Sequence, residues 1–118
     1  MERTIIIDGK EVRLRASAAI PRLYRLKFHR DILADMRNLA KAISRENGEG
    51  GSHIPPEALE LFENISYIMA RHADPQGVPG SPEEWLEGFE TFSVYQVFPV
   101  IQQMWADNLR TMVASVKK

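Results

Sequence analysis

The sequence predicts an α+β fold, mostly α-helical, in which helices cover an N-terminal β-hairpin. Three observations predict it. Asp8-Gly9 stands between two runs of alternating apolar residues, apolar residues recur at helical spacing from Ile20 onward, and clusters of Pro and Gly interrupt those stripes. With 118 residues the chain is long enough for one hydrophobic core, so a single domain over 1–118 is expected.

The hairpin is expected over 3–15. Asp-Gly is the signal of a two-residue type I′ turn, whose central residues both need positive φ. A two-residue loop pairs Ile7 with Lys10, Ile5 with Val12 and Arg3 with Leu14. Ile5, Ile7, Val12 and Leu14 then share one face, while Thr4, Ile6, Glu11 and Arg13 share the other. A lone two-stranded hairpin is marginal in water, so the apolar face needs cover.

Helix is expected over about 17–45, capped by Ser17 with Pro21 in the first turn. Ile20, Leu23, Tyr24 and Phe28 form its first stripe, and Ile32, Met36, Leu39 and Ile43 restart it after a break marked by Phe28-His29-Arg30. The glycines of Arg45–Ser52 predict a flexible loop over 46–54. Pro55-Pro56 opens a helix over 56–73, with Glu57 and Glu60 where its dipole favours anions, and Asp74-Pro75 stops it. Ser81-Pro82-Glu83-Glu84 is a helix start with a capping side chain, and helix is expected over 82–114, with a frayed end at Val116-Lys117-Lys118.

Between Glu90 and Asp107 the chain carries no formal charge, although 26% of all residues are charged. Val94, Val97, Phe98, Ile101, Met104 and Trp105 make a helical stripe, whereas Phe92, Tyr95 and Val100 lie off it. A helix apolar on more than one face is either the centre of a core or part of a partner surface. The segment is therefore expected to be the central core helix, with Val97, Ile101, Met104, Trp105 and Leu109 against Leu61, Ile65 and Met69. Pro99 predicts a kink or a new helix start. Near that break at least one of Phe92, Tyr95 and Phe98 should stay reachable, and with Trp85 they form the candidate partner-binding set.

The composition is that of a globular protein, and the lack of cysteine rules out disulfides and thiolate metal sites. No apolar run approaches the ~20 residues of a membrane span. The N-terminus reads as a charged strand rather than a secretion signal, which makes the cytoplasm the expected location. The net charge of −1 hides an asymmetry: residues 1–50 carry 11 basic against 7 acidic side chains, residues 51–118 carry 4 against 9. Arg13, Arg15, Arg22, Arg25 and Arg30 on one side and Glu83, Glu84 and Glu87 on the other are candidates for charge-mediated association of copies. The basic Arg13–Arg30 stretch, with Tyr24 and Phe28 interleaved, also supports an alternative function as a small nucleic-acid-associated regulator.

No catalytic, cofactor-binding or metal-binding residue is expected. His29 near Asp31 and His72 near Asp74 are two apart, a spacing that does not share a helix face, and read as helix-terminal histidines; His53 falls in the glycine loop. Nucleotide-binding and hydrolase fingerprints are missing from the sequence.

An ordered set of stretches carries a resemblance. Behind the Ile7-Asp8-Gly9-Lys10 hairpin come Arg25–Ile32, Ala58–Ile65, Met69–Pro75, Pro82–Leu86 and Phe92–Tyr95, together spanning nearly the whole chain. In this order they resemble the tail assembly chaperones of long-tailed phages and prophages of Firmicutes-type bacteria. His29 departs from the family pattern, in which glycine is common at that place. The resemblance implies a non-enzymatic protein of the host bacterial cytoplasm, absent from the mature virion. It implies binding to the tape measure protein, which is kept soluble while tail tube protein polymerises around it. It further implies production in a short and a long form by ribosomal frameshift.

Overall fold

The computed structural model describes residues 1–49 and 54–116, with side chains placed for 1–44 and 54–109. His53, the rest of 50–53 and the expected frayed lysines lie outside the described residues. The fold is α+β, a two-stranded antiparallel hairpin followed by helices.

Strands β1 (Glu2–Ile7) and β2 (Lys10–Arg15) pair in the register set by a two-residue turn, with Ile7 opposite Lys10, Ile5 opposite Val12 and Arg3 opposite Leu14. Asp8 and Gly9 take φ of 55° and 74°, as a type I′ turn requires. Ile7, Val12 and Leu14 are buried, and Ile6 on the opposite face is exposed.

Helix α1 (Ile20–Phe28) and α2 (Ile32–Glu49) divide the helical span expected over 17–45 at the Phe28-His29-Arg30 break. His29 ends α1 in the left-handed region, at φ 57°, and donates its backbone N–H to the Arg25 carbonyl. Asp31 then accepts from the Leu33 N–H to begin α2. Ser17 is not the cap of α1: the N-cap is Ala19, without a side-chain bond. Instead the Ser17 hydroxyl takes the Ala19 N–H and meets His72 Nε2 at 2.8 Å. Its carbonyl accepts from the Ile20 N–H and from Asn108 Nδ2. Tertiary partners have claimed the capping atom. Helix α2 also runs on to Glu49, into the expected loop, because a single glycine such as Gly48 only weakens a helix, by about 1 kcal/mol.

The central helix is α3 (Pro56–Ala73), which packs against β2, α1, α2, α4 and α5. Six consecutive residues, Ile65 to Ala70, are buried, so this stretch buries side chains all round its axis. The buried Ser66 hydroxyl is satisfied by the Phe62 carbonyl. This corrects the expectation that residues 91–105 form the central helix. The glutamates of α3's first half mask its apolar second half in any composition count, while the charge-free segment buries mainly one stripe.

The helix expected over 82–114 is also two: α4 (Pro82–Leu86), capped by the Ser81 hydroxyl, and α5 (Val94–Val116). Residues 87–93 are pinned to the hairpin turn. Asp8 accepts from the Glu90 N–H at 2.8 Å and from the Thr91 hydroxyl, and Lys10 Nζ donates to the Gly88 carbonyl. Bonds from a strand turn some eighty residues away replace helical ones, a competition invisible to local periodicity. Helix α5 begins five residues before Pro99 and continues through it, so Pro99 is not a helix start. Val94, Val97, Phe98, Ile101, Met104 and Trp105 are buried, the stripe that the spacing predicts.

Candidate partner-binding groove

Two regions bear on partner binding. The first is the aromatic corner formed by α4, the 87–93 linker and the start of α5. Trp85 meets Tyr67, Phe89 and Phe92 edge-on, with ring centroids 5.3–5.9 Å apart. Phe92 also stacks on Phe62 at 5.0 Å and on Phe89 at 5.7 Å. These are the offset and edge-to-face geometries that the ring quadrupole favours. Trp85 is 7% exposed and Phe98 4%, so both belong to the core and are closed to a partner. Phe92 is half-buried. Tyr95, 44% exposed, is the one ring of the candidate set that stands open.

The second region was not singled out from the sequence. Leu23, Leu26 and Lys27 of α1 face Tyr67, Ile68, Arg71 and His72 of α3 across an open groove of about 430 Å³, closed at one end by Pro75 and Gly80. Leu26 is 66% exposed, the most exposed large apolar side chain among the described residues. The signal for it existed: Leu26 lies off the Ile20–Tyr24 stripe on a helix whose outward residues are otherwise basic.

The loop end of the groove is cationic. Lys27 Nζ donates to the Gly80 carbonyl at 2.6 Å and lies 5.9 Å from the Tyr67 ring centroid. Arg71 Nη1 donates to the Val78 carbonyl at 3.0 Å, and the Tyr67 hydroxyl donates to the Pro79 carbonyl at 2.6 Å. Burial raises the Tyr67 phenol pKa. His72, on the groove wall, is pushed below the ordinary histidine range by burial, then by the Arg15 and N-terminal charges, and is neutral at pH 7. Its contact with Ser17 has the spacing of a nucleophile and its base, but Ser17 does not line the groove, and the pair serves to tie the exit of β2 to α3.

A buried carboxylate positions the α1 wall. Asp35, 2% exposed, accepts from the Tyr24 hydroxyl at 2.7 Å and from Arg30 Nε and Nη2 at 2.7 and 2.8 Å. Burial pushes the Asp35 pKa up, but the Arg30 and Tyr24 hydrogen bonds with the Arg30 charge outweigh it, and the net shift is downward. Tyr24, buried and bonded to that carboxylate, is raised well above the usual phenol range. Asp35 sits on the Ile32–Ile43 stripe, and a carboxylate on an apolar stripe was the sequence sign of this clamp.

Of the charged association candidates, Arg30 is committed to Asp35, and Arg13 pairs with Glu2 at 3.7 Å and Asp74 at 4.0 Å. Arg15, Arg22, Arg25, Glu83, Glu84 and Glu87 are exposed. Among the described residues, no three His, Asp or Glu side chains converge as a metal site, and no helix is long and apolar enough to cross a membrane. Comparison with protein-family models, with curated proteins and with solved structures finds no match to this chain.

Proposed function

We propose that this protein is a non-catalytic phage tail assembly chaperone that binds apolar helical segments of the tape measure protein, keeps them soluble and so promotes tail tube assembly in the host cytoplasm. The observation that carries this reading is the open α1/α3 groove with Leu26 on its rim. An apolar side chain left that exposed beside a concave apolar surface is what helix-in-groove recognition uses. The ordered resemblance of the sequence supplies the identity of the partner. Tyr95 offers a second, smaller apolar contact.

Co-expression with a tape measure fragment tests the reading. The wild-type chain should raise recovery of soluble fragment, and Leu26→Gln should lower it without changing the melting temperature. If neither Leu26→Gln nor Tyr95→Ala alters recovery, the chaperone reading of these surfaces is wrong. Opposite charge on Arg22 and Arg25 and on Glu83, Glu84 and Glu87 supports association of copies at low salt, since exposed charges are screened beyond roughly 10 Å at 0.1 M. A monomer at every salt concentration in sedimentation would end that part. Exposed Arg15, Arg22 and Arg25 favour a second reading, nucleic-acid binding, which a salt-dependent DNA shift near physiological ionic strength would support.

A further inference from the structure

From the charge around the groove we infer the chemistry of its occupant: an amphipathic α-helix whose apolar stripe is flanked by carboxylates. This deepens the proposed function and rests on it, because it names which helical segments the same groove selects.

The walls decide the backbone of the occupant. Both are helices, α1 and α3, so the groove offers no strand edge to which an extended peptide could add. Anything lying in it must bring its own main-chain hydrogen bonds, as a helix does. Leu26, exposed on the rim, and half-buried Leu23 then call for apolar side chains on one face, with buried Ile68 as the floor beneath them.

The rim decides the flanks. Lys27 and Arg71 converge on the 75–80 loop at one end of the groove, each bonded to a neutral carbonyl that leaves its charge uncompensated. An ammonium has three donors and a guanidinium five, so both keep donors for an incoming group. Arg22 and Arg25 are exposed on the same short helix, and the chain holds no acidic residue from Val12 to Arg30. Glu83 and Glu84 are near enough to act on the Tyr67 phenol, but neither forms an ion pair with Lys27 or Arg71. A helix with carboxylates beside its apolar stripe meets attraction here, and one with lysines meets repulsion.

Fluorescence anisotropy with three labelled synthetic helices tests this. Each has roughly 14 residues, about four turns, with leucines on one stripe. The flanking positions are glutamate in one, glutamine in the second and lysine in the third. The glutamate helix should bind about tenfold more tightly than the lysine helix at low salt, the sum of a few exposed charge contacts. The gap should narrow as salt rises and shrink in Lys27→Gln, and Leu26→Gln should weaken all three. Equal binding of the three helices, lost in Leu26→Gln, overturns the charge inference and leaves the groove as a helix site. Failure of all three to bind overturns the groove reading itself. Concentration-dependent self-association that disappears in Leu26→Gln would show that a second copy fills the groove, and it too overturns the inference.

Discussion

The aromatic corner and the α1/α3 groove are built from similar materials and end differently. In the corner, Trp85, Phe89, Phe92, Phe62 and Tyr67 find one another, and the rings satisfy their own demand for apolar contact. The groove has fewer aromatic atoms, yet it leaves Leu26 two-thirds exposed. Density of aromatic residues in a sequence therefore marks a place where burial is possible, and only the partner count of each side chain shows whether burial has been achieved. The lesson is that a candidate surface is better sought at an apolar side chain lacking neighbours than at the richest apolar stretch.

The largest expected effect sharpens that contrast. Trp85→Ala removes the ring that joins Tyr67, Phe89 and Phe92 and should cost about 3–5 kcal/mol of unfolding free energy. Denaturant titration measures it, and a loss below about 1 kcal/mol would mean the corner is not a closed core.

Next comes the clamp that holds α1 in place as a groove wall. Asp35→Ala strands the buried Tyr24 hydroxyl and should destabilise by about 2–3 kcal/mol. The folded-state pKa of Asp35 lies below its unfolded value, so the unfolded chain takes up the proton first. Its stabilisation is fully present above the ordinary carboxylate range and is lost as pH falls through the lower folded value. Asp35→Ala should therefore flatten the acid limb of the stability profile as pH falls through and below the ordinary carboxylate range. An unchanged limb would place the acid sensitivity elsewhere. His72 contributes with the same sign in a higher window: its folded pKa is depressed, so stability falls as pH drops below about 6.5.

The smallest effects are expected at the open side chains. Leu26→Gln and Tyr95→Ala should each change stability by no more than about 0.5 kcal/mol, because neither side chain is packed into the core. If either variant melts the protein as Trp85→Ala should, the distinction between closed corner and open groove collapses.

Much of the architecture was legible in the residues because its causes are local. Asp8-Gly9 dictates the hairpin register, and the stripes of α2 and α5 name their own buried residues. The positive φ at His29 lies where the apolar stripe breaks and α1 ends. Candidate binding residues were less legible, since spacing shows which side chains share a face but not whether another element covers it. Phe98 and Tyr95 are three residues apart on one helix, yet one is buried and the other open.

By itself, then, the sequence determined the hairpin, the break after Phe28, the cap at Ser81, and the apolar stripe of each long helix. Those depend on dihedral preferences and hydrogen bonds within a few residues. The tertiary structure alone decided that α3 is the central helix, that Ser17 also binds His72 and Asn108, and that residues 87–93 leave helix to bind the turn at Asp8. It alone placed Leu26 beside an open groove. Each of these outcomes is a competition between a local partner and one distant in the chain. The winner is set by which groups the packed core brings within hydrogen-bonding or van der Waals distance, a quantity that periodicity does not contain.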